Sequence, residues 1–196
     1  MEGYYDHHPT VRLERPIALA GYVGEENRLL GYKVAALCGL PSADLDRLVE
    51  HHAGSSVWDL IWQQGEASYR ALEHRCLKKV LQERPAGVLS LGDGTLIDPT
   101  NRQLVEQEAH LVVLERDLPH CFFSLKRGPR SEKDFWHPLH AGPLDRLETV
   151  RPYFDRRSPG LAEAPHAVTL AGKREKVLLD ELLDLVSRLS TPLLGV

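Results

Sequence analysis

Pro16-Ile17-Ala18-Leu19-Ala20-Gly21-Tyr22-Val23-Gly24-Glu25-Glu26-Asn27-Arg28-Leu29-Leu30-Gly31 sets the terms for everything else in the chain. An apolar run of strand length ends at a glycine, and a helical pattern from Leu29 to Leu37, stopped by Gly39, follows within a few residues. Strand, glycine-bearing turn and helix in that order are the setting in which backbone N–H groups at a helix N-terminus hold a phosphate. The spacing can be tested against the phosphate-loop pattern G-x-x-x-x-G-K followed by Ser or Thr. Gly21 fits the first glycine, but Glu26 stands at the second, Asn27 at the lysine and Arg28 at the hydroxyl. Each of those positions has a physical role: close backbone approach, neutralisation of the β and γ charges, and ligation of the cation. All three are lost here, and Glu25 and Glu26 add carboxylates that repel a triphosphate by kcal/mol amounts. Taken alone, the segment reads as a strand-to-helix turn without a ligand.

Working outward, further short apolar runs at Val88 to Leu91, Leu111 to Leu114 and Ala167 to Leu170, and a weaker one just before Asp44, alternate with helical patterns. The helices are expected at Asp46 to His52, Val57 to Gln63, Glu66 to about Glu83, Pro99 to Glu108, Pro119 to Leu125, Leu144 to Phe154 and Lys173 to Leu189. Parallel strands need a crossover, usually a helix, so this alternation predicts an α/β domain with a parallel sheet covered on both faces. The stretch Lys126 to Pro143 breaks the rhythm with Gly, Pro and charge over a length typical of lids and binding loops.

The chain has 196 residues, 42% of them apolar and 27% charged, which suits one domain with a real core. A formal charge of −4 and no basic stripe give no electrostatic ground for nucleic acid. No apolar run approaches the ~20 residues that span a bilayer, and the N-terminus carries no signal-like apolar region, so no membrane partner and a cytoplasmic location are expected. Cys38, Cys76 and Cys121 are odd in number and widely spaced, which predicts buried thiols in a reducing compartment. His7-His8 and His51-His52 are adjacent pairs whose side chains diverge, a poor metal-ligand arrangement.

Four further segments fall in a telling order: Asp44-Leu45-Asp46-Arg47, then Gly65-Glu66-Ala67-Ser68-Tyr69-Arg70-Ala71-Leu72-Glu73, then Gly92-Asp93-Gly94 after an apolar strand, then Arg151-Pro152-Tyr153. Together with Gly21, Gly24 and Gly31 of the opening loop, these resemble the shikimate kinase family over about Ile17 to Val186. In that family a G-x-x-G-x-G-K-S/T-x-x-G loop is followed by D-T-D, G-E-x-x-F-R-x-x-E, G-G-G, an R-P-L lid and a late R-x-P-x-Y-like element. GEASYRALE is the most specific match.

The resemblance implies a P-loop NTPase-like three-layer sandwich, a five-stranded parallel sheet of order 2-3-1-4-5 with helices on both faces and a lid at about 126–143. It implies one domain over 16–190, with an N-terminal extension at 1–15 and a tail at 191–196. Asp46 matches the aspartate that binds the ring hydroxyls of shikimate and acts on the one phosphorylated, and Arg70 and Arg151 match the two arginines that grip its carboxylate. Guanidinium pairs carboxylate in a bidentate fork, so two around one anion make a specific anchor. Gly92 and Gly94 match the ends of the glycine turn, and Asp44 matches the aspartate associated with the magnesium site.

The departures cluster. Besides Glu26, Asn27 and Arg28, the middle glycine of the turn is Asp93 and the lid arginine is His137, a weak substitute for a fixed positive charge near pH 7. Asp93 either weakens an anionic ligand, or selects a less anionic one, or is an ordinary turn aspartate. Asp46 also suits the cap of the helix that follows. Trp58, Trp62 and the stripe from Val177 to Leu189 read as core or interface.

The function expected is a shikimate kinase-like protein that has lost normal ATP binding and needs no cofactor. It would hold shikimate or a related hydroxy acid as a non-catalytic or regulatory module, with a protein partner conceivable. The alternative is an active kinase using Mg-ATP, its loop rescued by Arg28, Lys33, Lys126, Arg127 or Arg130. A third option is a structural subunit whose pocket is filled by Glu25, Glu26 and Asp93.

Overall fold

Five consecutive buried residues, Ile17 to Gly21, form the central strand of a parallel sheet, which is why that run carries no polar alternation. The computed structural model describes residues 11–22, 26–83, 86–127 and 146–192. A two-residue strand β1 (Val11–Arg12) precedes the central strand β2 (Ile17–Gly21), and α1 (Glu26–Cys38) follows it. Then come β3 (Ser42–Asp44), α2 (Leu45–Ala53), α3 (Val57–Glu83), β4 (Val88–Ser90), a single 3-10 turn at Thr95–Ile97 and α4 (Pro99–Glu108). The chain continues through β5 (His110–Glu115), α5 (Leu118–Arg127), α6 (Leu147–Ala162), β6 (His166–Thr169), α7 (Glu175–Leu189) and β7 (Thr191–Pro192).

The sheet runs β3-β4-β2-β5-β6, all parallel. Counting only its own five strands, that is the order 2-3-1-4-5, shifted by one label because β1 lies outside it. Ile17 pairs with Val88 on one side and His110 on the other.

Period-two alternation sends successive side chains of each strand to opposite faces, and two cores result. Ala18, Ala20, Leu89, Leu111 and Val113 pack with Leu77, Val80 and Leu81 of α3. Ile17, Leu19, Val88, Val112 and Leu114 pack with Leu30, Val34 and Ala35 of α1 and with Leu178, Leu182 and Leu185 of α7. The i, i+4, i+7 spacing of the α7 leucines is the stripe expected of an amphipathic helix.

Some expectations shift. The helices predicted at Val57 to Gln63 and Glu66 to Glu83 meet at Gly65, whose φ of 83° makes the kink. The helix expected to end at Phe154 runs to Ala162 through Pro152 and Pro159, because Tyr153, Arg157, Gly160 and Leu161 bury one continuous face. β1 and β7, placed in the extension and the tail, pair antiparallel with each other, and Leu13 is buried in the core. All three cysteines are buried, and burial pushes the Cys121 thiol up to about 12. Trp58 and Trp62 stack on each other with Trp62 exposed, so that pair is not core. Residues 128–145, including His137 and most of the expected lid, lie outside the described residues, as do Gly24 and Glu25.

Candidate functional site

Three strands end together. β2 stops at Gly21, β3 at Asp44 and β4 at Ser90, so their carboxyl ends open into one crevice, the place where open α/β sheets bind ligands. Asp44, extended at φ −122°, caps α2 by accepting from the Arg47 N–H at 2.9 Å. The capping role considered for Asp46 thus belongs to Asp44, and Asp46, in the first turn of α2, faces the crevice instead.

Beyond the Gly65 kink, α3 sends Tyr69, Arg70 and Glu73 toward the same crevice, the i, i+3, i+4 neighbours of one helix face. Glu73 has no exposed surface and is the hub. It accepts from Arg70 Nη1 at 2.7 Å, from Thr95 Oγ1 at 2.7 Å and from the Tyr69 hydroxyl at 3.1 Å. The Tyr69 hydroxyl also lies 3.1 Å from Asp46 Oδ1 and, having one proton, is shared between the two carboxyls. Sequence reasoning gave Glu73 no role, although the last position of GEASYRALE held the signal.

The turn after β4 closes the inner end. A Cβ on Gly92 would stand 2.5 Å from Asp46 Oδ1, and Gly94 has φ 86°, so both positions demand glycine. Asp93 between them accepts from the Tyr153 hydroxyl at 2.9 Å through its carboxylate, and from Arg70 Nη2 at 3.1 Å through its carbonyl.

The arginine of α6 that packs at this turn is Arg157, not Arg151. Arg151 is exposed, whereas Arg157 is 4% exposed, lies with its guanidinium 3.3 Å above the Tyr153 ring and donates to the Tyr153 carbonyl. At 100° per residue the two sit about 120° apart around α6, so they cannot face the same site. Arg157-Ser158-Pro159 has the R-x-P spacing of the late family element, which Arg151-Pro152 lacks; that was the legible signal. Arg70 Nη2 and Arg157 Nη2 both come within about 3.1 Å of where a Gly94 Cβ would sit, so the guanidiniums converge on the turn.

At the loop, the Asn27 side chain is buried and folds against Gly21, where any Cβ would collide with its amide. Arg28 approaches Asp44 at 4.0 Å. Glu26 begins α1. Lys33, offered as a rescuing cation, pairs at 2.6 Å with Glu175 at the start of α7.

A cavity of about 280 Å³ lies between these parts, at the small end of ligand pockets and sized for one ring. Asn27, Arg28, Asp44, Asp46, Ser90 and Asp93 line it, with Arg47, Glu50, Val57 and Leu91 completing the wall. Burial, then the charges of Asp93, Glu73 and Asp44, push the Asp46 carboxyl up to about 7, against the Tyr69 hydrogen bond. Burial also raises Asp93, opposed by Arg157 and the Tyr153 hydrogen bond. Burial pulls on Arg70, but Glu73 leaves it above its ordinary value. A carboxyl near neutrality beside hydroxyl donors can accept from a ligand hydroxyl and take its proton. Among the described residues no cluster of three metal-ligating side chains occurs, and no helix is long and apolar enough to cross a membrane.

A family model described as shikimate kinase matches residues 28–187. A shikimate kinase of Caulobacter vibrioides is 30% identical over 169 residues, covering 86% of this chain and 80% of that protein. One of Salinibacter ruber is 29% identical over 167 residues, with 83% and 80% covered. Among solved structures, shikimate kinase from Acinetobacter baumannii in complex with shikimate superposes with a TM-score of 0.77 at 23% identity, over 89% of this chain and 93% of that one. A gluconokinase of Sinorhizobium meliloti follows at a TM-score of 0.59 and 16% identity, over 91% and 95%.

Proposed function

The chain belongs to the shikimate kinase family, and from that premise we propose that it binds a small polyhydroxylated ring in the crevice without transferring phosphate from ATP. It acts as a binding or regulatory module built on a kinase scaffold. The observation that carries this reading is Asn27. At the position where the family's lysine reaches phosphate, this side chain is short, uncharged, buried and packed on Gly21. Next to it, Arg28 replaces the hydroxyl that would ligate magnesium and brings its own positive charge to Asp44. The residues present do not fit Mg-ATP: one cation is missing where phosphate charge accumulates, and another stands where the metal would need oxygen ligands.

The acceptor half supports ligand binding. Asp46, Arg70, Gly92 and Gly94 converge, with Arg157 in the place expected of Arg151. One observation favours the competing reading of an active ATP-dependent shikimate kinase: Asp46 near 7 is poised as a general base.

Calorimetric titration of Mg-ATP with excess shikimate, alongside an assay for ADP release, separates the two. The expected result is neither heat nor turnover in the parent protein, and at least tenfold stronger ATP binding in the triple variant Glu26→Gly, Asn27→Lys, Arg28→Ser. Saturable micromolar heat with turnover in the parent would replace this proposal by the kinase reading.

A further inference from the structure

The wall that the crevice presents toward the two converging arginines is made of aspartate. Asp93 and Asp46 line the cavity at its inner end, while neither Arg70 nor Arg157 is among its lining residues. The Arg70 guanidinium is engaged at all three nitrogens, and that of Arg157 at Nη1 and across its face. Arg70 uses Nη1 on Glu73, Nη2 on the Asp93 carbonyl and Nε on Glu66 at 3.4 Å. Arg157 stacks on Tyr153 and donates Nη1 to its carbonyl. Its Nε is buried without a partner, and the void it lines with Gly92 and Gly94 measures about 10 Å³, room for about one water and none for a carboxylate.

The open hydrogen-bonding capacity of the inner cavity is therefore acceptor capacity. Asp93 Oδ2 takes the Tyr153 hydroxyl and Asp46 Oδ1 shares the Tyr69 hydroxyl, and a carboxyl group offers about four lone-pair sites. Ring hydroxyls are the complementary donors. A ligand carboxylate placed there would meet, once Asp46 and Asp93 are ionised, like charge a few ångströms away, a repulsion of kcal/mol size in a partly enclosed site, which is why the test is run above the Asp46 value.

We propose that Asp93 is a built-in occupant of the subsite for a ligand's anionic group, its carboxylate standing between the cavity and the Arg70–Arg157 pair, and that the cavity takes an uncharged polyhydroxylated ring in place of a hydroxy acid. The proposal rests on the reading of the crevice as a ligand site and narrows its chemical class. It resolves the three options left open for Asp93 in the sequence in favour of selection.

The test compares two probes that share the ring hydroxyls and differ in charge, shikimate and its methyl ester, titrated calorimetrically at pH 8 into the full chain and the variants Asp93→Gly and Asp93→Asn. The wild type is expected to bind the ester at least tenfold more tightly than the acid. Asp93→Gly, which empties the subsite, reverses the preference, and Asp93→Asn, which removes charge but keeps shape, narrows it. Acid bound as tightly as ester by the wild type, or a ratio unchanged in Asp93→Gly, overturns the proposal while leaving the ligand site standing. Absence of heat from both probes in all three proteins, each with a cooperative melt, removes the ligand-site reading and the proposal with it.

Discussion

The loop after β2 and the turn after β4 are neighbours at the same edge of the sheet, and both keep family glycines while changing what stands between them. At the loop, a Cβ on Gly21 would collide with the Asn27 amide, and one on Gly31 would stand 2.6 Å from Ser90 Oγ. At the turn, Gly92 makes room for Asp46 and Gly94 supplies a positive φ. In neither place does the glycine require a bound ligand. On the proposed reading, the substituted positions carry side chains that stand in for parts of a ligand. Arg28 brings a cation to Asp44, and Asp93 brings a carboxylate toward two arginines. The difference lies in burial: the turn's substitution is knitted into a core network through Tyr153, Arg70 and Glu73, whereas the loop's arginine pairs at half-exposed surface. Glycine patterns thus report backbone packing, and only the residues between them report chemistry.

The sharpest way to break this comparison is at the turn. Arg157→Ala removes the guanidinium stacked on Tyr153 and leaves Asp93 with less compensating charge, so it should lower unfolding free energy by about 3 kcal/mol. Arg151→Ala, on the exposed face of α6, should stay within about 0.5 kcal/mol. Urea denaturation of both variants reads the difference directly. Similar losses in the two would mean that α6 is not anchored through Arg157, and that the network has been drawn around the wrong residue.

A smaller effect is expected from pH. Asp46 has a folded value of about 7 against an ordinary value of 3.8, so between those limits the folded state binds more protons than the unfolded chain. Its contribution is fully present below about pH 4 and is lost as pH rises through about 7. Because part of Asp46 faces the cavity, the loss is discounted to about 2 kcal/mol. Urea midpoints at pH 5 and pH 8 should therefore fall with pH in the wild type and fall less in Asp46→Asn. Asp93, also raised, acts with the same sign and leaves a residual slope. An identical slope in Asp46→Asn would assign the titration elsewhere and separate Asp46 from the turn.

What could be read from the sequence follows the same line. Strand positions were legible because continuous apolar runs have few other readings when helical patterns alternate with them, and β2, β4 and β5 lie within a residue or so of the expected spans. Asp46, Arg70, Gly92 and Gly94 each sit in a local motif, and the structure brings all four together at the crevice. Arg157 was not picked out, because the late motif was matched at Arg151-Pro152-Tyr153 and the helix was expected to end at Phe154, short of Arg157, whereas α6 runs on to Ala162. The direction in which Asp93 and Asn27 point was also beyond reach, since it depends on partners 60 and 6 residues away, Tyr153 and Gly21. His137 lies outside the described residues, so the lid expectation stays where the sequence left it.

The smallest predicted effect belongs to the loop. Arg28 and Asp44 are 4.0 Å apart with side chains 37% and 20% exposed, a pair of the kind that stabilises by at most about 1 kcal/mol and weakens with salt. Arg28→Ala should cost less than that in dilute buffer and less still at 0.5 M salt, as read from thermal melts at the two ionic strengths. A salt-independent loss of several kcal/mol would instead make Arg28 as deeply integrated as Asp93. The loop would then be a second structural knot, and restoring Lys and Ser there would unfold the strand-to-helix junction before it recovered any affinity for phosphate. The contrast between the buried turn and the more exposed loop therefore hangs on how firmly Arg28 is held.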